Sequence, residues 1–294
     1  MTHKRQENKR NFSDIALGFL LLTHPGPVAF FIFVAALFAL RLTWPQPAWG
    51  VIILLVAAHA AMQFSISMIN DYCDRALDAA SKPGKPIVRG LVTPREALIV
   101  GIVMGILMVV LLLSLPPLAL VVSLCYLALG QAYNLGLKAT AWSGCIFALM
   151  VALIPLYIFA GLGRTSPLAF WFVLVGFLLG VALNVANSLP DLEGDAAGGA
   201  RTLAVVLGLK RSFFVSPLII ATLIVLSAAL TLFGFIPAQL WIMVPVWIIT
   251  VLGLAGILLF FGPGKPKEIR LAYFYLVTTT CVVLSGGLIV AVHF

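Results

Sequence analysis

The chain has 294 residues, 62% of them hydrophobic and only 10% charged, with a formal net charge of +8. Soluble domains carry about 25% charged residues, so this balance excludes an ordinary water-soluble globule and points to a polytopic α-helical membrane protein. The positive charge then reads as topology and as a fit to anionic lipid headgroups, with no nucleic-acid partner expected.

Charge-free runs set the number of spans: 15–40, 42–70, 97–137, 139–163, 165–190, 212–264 and 271–294. A membrane helix needs about 20 apolar residues. The run 97–137 is too long for one crossing and folds back at Pro116-Pro117, and 212–264 breaks near Phe235-Ile236-Pro237, which gives nine helices. With the N-terminus inside, sixteen Lys and Arg and all ten acids fall on the cytoplasmic side, against Arg41 and Arg164 outside. That asymmetry predicts a cytoplasmic N-terminus and an external C-terminus. The whole of 1–294 reads as a single polytopic domain, with 1–14 as a basic cytoplasmic segment leading into a retained first span rather than a cleaved signal. Cys125, Cys145 and Cys281 lie in spans, and no cysteine spacing suggests disulfides or zinc.

The first span carries Thr23-His24-Pro25-Gly26-Pro27, which should kink or unwind it. His24 there is either a pocket residue or a hydrogen-bonding partner for the broken turn. The second span aligns His59, Gln63, Ser67 and Asn70 within about 80° of one another at 100° per residue. Such a polar stripe faces the bundle interior or a cavity; ordinary interhelical bonding is the plainer reading for His59 and Gln63. Beyond it, Asn70-Asp71-Tyr72-Cys73-Asp74-Arg75-Ala76-Leu77-Asp78 places three of the ten acids within eight residues. Continued as helix, Asp74, Asp78 and Asp71 fall about 40°, 80° and 100° from Asn70, while Cys73 points off that face. Carboxylates so crowded repel unless a cation sits among them, and an all-oxygen set suits Mg²⁺. The plainer reading is a solvated helix end.

The loop 79–90 adds Lys82, Lys85 and Arg89, cations suited to an anionic phosphate ester, although positive-inside bias alone would also put them there. The third and fourth spans form an apolar hairpin ending in Gln131-Ala132-Tyr133-Asn134-Leu135-Gly136-Leu137-Lys138. The sixth ends in a second acidic stretch. If that helix continues, Asn187, Asp191 and Asp195 lie within about 60° of Asn184, while Glu193 lies opposite. Arg201 follows in a glycine-rich loop. Two segments more than a hundred residues apart thus repeat one plan on one side of the membrane: apolar helix, Asn, spaced aspartates, basic loop. The last three spans offer no polar constellation and read as bundle and lipid contact.

Two opposed carboxylate clusters can hold Mg²⁺ around a diphosphate while basic residues neutralise its outer oxygens, lowering the barrier to breaking its C–O bond. A substrate with a charged head at the membrane surface and a hydrocarbon tail among the helices fits both halves, and a polyprenyl diphosphate is such a substrate. An ion-coupled transporter is the rival reading. It would place acids or broken helices near mid-membrane in inverted repeats, and no Asp or Glu lies mid-span here.

The motifs Asn70-Asp71-x-x-Asp74-x-x-x-Asp78, the following Lys82-Pro83-Gly84-Lys85-Pro86-Ile87-Val88-Arg89-Gly90, and Asp191-x-x-x-Asp195 with Gly198, Arg201 and Thr202 closely resemble the UbiA superfamily of intramembrane aromatic prenyltransferases. The resemblance implies a U-shaped bundle of nine transmembrane helices with a cavity open to lipid, capped by the loops after helices two and six. It implies Mg²⁺-dependent transfer of a prenyl group from its diphosphate to an acceptor, usually aromatic, in isoprenoid quinone or lipid biosynthesis, with diphosphate released. On this resemblance Asn70, Asp71, Asp74 and Asp78 form the first metal set and Asp191 and Asp195 the second, with Asn187 beside them. Arg75, Lys82, Arg89 and Arg201 contact the diphosphate, and Tyr133 and Lys138 serve the diphosphate and the developing cation. The helix-one region with His24 lines the acceptor side, and His24, His59 and Gln63 are candidate substrate-binding residues. The family often has Arg-Pro in the first span where this chain has Thr23-His24-Pro25, which leaves open whether the acceptor is an aromatic ring, a glyceryl phosphate or a chlorophyllide-type carboxylate. The enzyme is expected in the cell (inner) membrane with its active site facing the cytoplasm.

Overall fold

The computed structural model describes residues 10–294, and the described residues form no strand. Nine of their helices are long and apolar enough to cross a membrane. Of the segment assigned to 1–14, residues 1–9 lie outside the described residues, and the chain is helical from Phe12.

The kink expected in the first span is a complete break. The helix α1 (Phe12–Leu22) is capped by Asn11 and Asp14, and α2 (Pro25–Thr43) starts afresh on Pro25, a residue suited to a first helical turn because its missing N–H is not needed there. His24 joins them at φ 50, ψ 61, a left-handed conformation that costs a non-glycine residue about 1–2 kcal/mol. The next helix, α3 (Trp49–Ser81), is the longest at 33 residues. At 1.5 Å per residue it extends about 50 Å, longer than the about 30 Å of hydrocarbon it would cross.

Pro94, inside the Thr93–Glu96 capping box, starts α4 (Pro94–Leu112), and the hairpin turn at Pro116 leads to α5 (Pro117–Asn134). Next come α6 (Ser143–Gly161) and α7 (Leu168–Ser188). These two approach closely because Gly180 has no side chain: a Cβ there would sit 2.5 Å from the Ala148 Cα. The short α8 (Leu192–Ala197) precedes α9 (Leu203–Leu232), which Gly208 breaks at φ 75, and then α10 (Leu240–Phe260) and α11 (Arg270–Ala291).

Neighbouring helices pack in the order α2, α3, α5, α6, α7, α11 and back to α2, with α4, α9 and α10 outside this ring. One end of the bundle gathers His24, the C-terminal ends of α3, α5 and α7, and the start of α11. At the other end Arg41 donates to the Val290 and Val292 carbonyls and Arg164 to the Leu42 carbonyl. Beside the first end, a small apolar cluster of Leu22, Met68, Val92 and Ala97, with Phe19, Phe64 and Ile87 against it, pins α1 and the loop after α3 to the bundle. Arg10 adds two hydrogen bonds to Glu96, at 2.7 and 3.1 Å.

Candidate active site

The helical continuation read from the sequence holds for α3, and it presents Asn70, Asp71, Asp74 and Asp78 at the bundle end. Asp71 is 2% exposed. Its Oδ1 accepts from Lys85 Nζ at 2.6 Å and lies 2.9 Å from His24 Nε2, which is itself 3.2 Å from Lys85 Nζ. The break before Pro25 therefore delivers His24 to the first aspartate. Asp71 Oδ2 is buried without a hydrogen-bond partner, a costly condition for a carboxylate oxygen.

Both oxygens of Asp74 lie 2.5 Å from Lys138 Nζ, which the turn after α5 carries. The Asn70 amide sits 2.9 Å from Asn134 Oδ1. Turned with its oxygen towards the Lys138 ammonium, as charge favours, it is 2.9 Å from that Nζ and its nitrogen is 3.3 Å from Asp74 Oδ2. Asp78 is buried on the same helix.

The second acidic stretch departs from the continuous helix assumed above. The helix α7 stops at Ser188, Leu189 and Pro190 turn, and Asp191 opens α8. Proline cannot continue the hydrogen-bond ladder, so the helix is rebuilt one turn on. Asp191 nonetheless reaches the first cluster: Lys82 Nζ donates to its Oδ2 at 3.0 Å. Burial opposes the Lys82 charge, but the hydrogen bond it donates to Asp191 and the charges of Asp191, Asp78 and Asp195 carry its pKa above the ordinary lysine value. Burial and the Asp191 charge push the Asp195 carboxyl up, against the pull of Lys82 and Lys138. Glu193 faces away, as its phase required, and meets Arg270.

Below these groups lies a cavity of about 250 Å³. His24, Asn70, Tyr133, Asn134 and Asn187 surround its polar end; Ser67, Gln63 and Tyr126 continue inwards; Phe30, Phe31, Phe147 and Phe274 supply aromatic faces. Gln63 Nε2 donates to the Tyr126 hydroxyl at 3.0 Å and lies 3.2 Å from His59 Nε2. His59 thus supports Gln63 from behind. A second, apolar space of about 50 Å³ shares Phe30, Phe31 and Leu183 with the first and extends to Phe38 and Phe172.

The structure leaves three expected residues apart from the cluster. Arg75 turns outward, bonded to the Tyr72 carbonyl at 2.6 Å and stacked 4.3 Å over the Tyr72 ring. Arg89 and Arg201 are exposed, with no side-chain partner among the described residues. The structure also adds residues. Lys85 pairs with Asp71, Asn134 holds Asn70 and the Ile66 carbonyl, and Asn184 donates to the Tyr133 hydroxyl at 3.2 Å. Spacing could not reveal these partners, which come from the loop after α3 and from other helices. The reading of the last span as bundle and lipid contact is corrected: Phe274 and Thr278 of α11 line the cavity.

Residues 28–279 match the UbiA prenyltransferase family. The chain belongs to that family. A digeranylgeranylglyceryl phosphate synthase of Natronomonas pharaonis is 30% identical over 226 residues, covering 76% of this chain and 79% of the relative. Another from Pyrococcus horikoshii is 33% identical over 145 residues, about half of each chain, at 49% and 52%. Among solved structures, a UbiA homologue of Aeropyrum pernix K1 superposes with a TM-score of 0.69 at 19% identity, covering 90% of this chain and 97% of that one. A homologue from Archaeoglobus fulgidus, solved with DMAPP and Mg²⁺, superposes at 0.66 with 18% identity, covering 92% and 99%. The all-helical fold of this family and an integral membrane protein are the result.

Proposed function

We propose that the two aspartate segments hold Mg²⁺ on the diphosphate of a prenyl donor whose tail fills the cavity below, and that the prenyl group passes to a glyceryl phosphate lipid precursor. The observation that carries this is the alternation of charge at the cavity mouth: Asp71 with Lys85, Asp74 with Lys138, Asp191 with Lys82. A Mg²⁺–diphosphate has both signs, and it can take the carboxylates through its metal and the ammonium groups through its oxygens. Among the described residues no three carboxylates converge on one point. Mg²⁺ does not need them to, since it is commonly held by one or two carboxylates plus substrate phosphates. The all-oxygen donor set and the orphaned Asp71 Oδ2 fit it. Asn70, Asp71, Asp74 and Asp78 would hold it on one side, Asp191 and Asp195 on the other.

Bound there, Mg²⁺ supplies Lewis-acid polarisation of the leaving group. Lys82, Lys85 and Lys138 neutralise the outer phosphate oxygens, and Tyr133, held by Asn184, faces the cavity beside them. The C1–O bond breaks with its electron pair leaving on the diphosphate. The allylic cation meets the aromatic faces of Phe30, Phe31 and Phe147. The acceptor hydroxyl forms the new C–O bond, and its proton leaves with the diphosphate.

The glyceryl phosphate acceptor is favoured over an aromatic ring by the relatives named digeranylgeranylglyceryl phosphate synthase. A cytoplasmic N-terminus and active site, supported by the charge asymmetry, belong to the same reading, as do a cap formed by the loops after α3 and α7, placement in the cell membrane and a single functional unit over 1–294. Membranes given labelled geranylgeranyl diphosphate with Mg²⁺ and either a monoprenyl glyceryl phosphate or a hydroxybenzoate test it. Label in the diprenyl ether is the expected product; label on the ring alone would reverse the acceptor assignment.

A further inference from the structure

The second aspartate pair rides on α8, which has six residues, with Pro190 before it and Gly198-Gly199 after. Isolated helices this short do not hold themselves. Asp191 and Asp195 also repel one another. Something outside α8 must fix it.

Arg270 does so, at the first turn of α11. Its Nη1 lies 2.7 Å from both oxygens of Glu193 and donates to the Leu189 carbonyl at 3.2 Å. One guanidinium thereby joins the end of α7, α8 and the start of α11. Arg270 is only 5% exposed, and its Nε is buried without a partner, so no second carboxylate stands ready if Glu193 is lost. Lys267 Nζ adds a looser contact to Glu193 at 3.7 Å. Arg270, Phe274 and Thr278 follow at four-residue intervals, which places them on one face of α11. The last two line the cavity.

We propose that Glu193 and Arg270 are positioning residues: their ion pair holds Asp191 and Asp195 at a fixed height over the cavity and ties them to the α11 wall. Glu193 touches neither substrate nor metal; it acts through the backbone of α8. This rests on the metal–diphosphate reading of Asp191 and Asp195. It goes beyond that reading by assigning α11 a part in the metal site.

The test uses the full-length protein in detergent, titrated with MgCl₂ in the presence of inorganic diphosphate and followed by calorimetry. Melting temperature, kcat and the donor KM are measured on the same samples. Glu193→Gln should weaken Mg²⁺ binding about ten- to a hundredfold, as loss of a group that orients metal ligands does, with little change in melting because Glu193 is half-exposed. Arg270→Lys should recover part of what Arg270→Gln loses. Unchanged Mg²⁺ binding in Glu193→Gln overturns the proposal, as does a lower melting temperature with Mg²⁺ binding intact. Asp191→Asn separates the two levels. If it loses binding while Glu193→Gln does not, only the strut falls; if it too binds like the parent, the metal reading itself falls.

Discussion

The two aspartate segments, proposed to share one task, rest on unlike supports. Asp71 and Asp74 sit on an unbroken helix of 33 residues, Asp71 almost fully buried and both paired with lysines from other segments. Asp191 and Asp195 sit beyond a helix end, on a short turn of helix. The side chains of the Asp191–Lys82 pair are 53% and 47% exposed. The first segment takes its geometry from the bundle, and the second must borrow it from Arg270. The bundle makes Asp71 and Asp74 a fixed wall of the proposed site, whereas Asp191 and Asp195 depend on one ion pair for the same purpose.

Breaking the fixed wall should have the largest effect. Asp71→Asn keeps the shape of the side chain but removes the charge facing Lys85 and His24, and turnover should fall roughly 100- to 1,000-fold, as when a preorganised electrostatic group is lost. Prenyl transfer assays with saturating donor measure this.

Next comes the contrast between lysines. Lys138 is held by both oxygens of a half-buried carboxylate, whereas Lys82 pairs at the surface. Lys138→Met should therefore raise the donor KM well above Lys82→Met. Exposed pairs are worth about 0–1 kcal/mol, so a larger effect at Lys82 than at Lys138 would invert the comparison.

A third test separates support from chemistry. Gly180→Val puts side-chain atoms into the Ala148 backbone and should destabilise the α6–α7 contact by about 1–3 kcal/mol, the usual cost of overpacking. Because α7 leads directly to Asp191, thermal unfolding should fall together with activity.

The smallest effect concerns pH. The hydrogen bond from Arg270 holds Glu193 below its ordinary carboxylate value. A depressed acid stabilises the fold above its unfolded pKa of about 4.3 and loses that contribution as pH falls through the folded value. Melting temperatures of parent and Glu193→Gln should thus differ slightly at neutral pH and converge below about pH 4.

How much of this was legible in the sequence follows the same contrast. Hydropathy and prolines gave the nine spans, and helical phase correctly placed the Asn70–Asp78 face because α3 is unbroken. Phase served the second segment less well, since Pro190 ends the helix that the angles assumed. It still set Glu193 apart from Asp191 and Asp195. What no periodicity reports is pairing between distant segments: Lys85 with His24 and Asp71, Asn134 with Asn70, Asn184 with Tyr133, Arg270 with Glu193. Arg270 looked like one more cytoplasmic cation, and only its burial distinguishes it. Arg75, Arg89 and Arg201 show the reverse, cations near the motifs in sequence whose side chains lie away from the carboxylates or free at the surface.

Both segments are proposed to serve one diphosphate. The most direct measurement is Mg²⁺-dependent release of diphosphate from geranylgeranyl diphosphate by the purified protein, with Asp71→Asn and Asp191→Asn each compared with the parent. If both clusters act on one diphosphate, either substitution alone removes nearly all release. Release at the parental rate in either variant would contradict it.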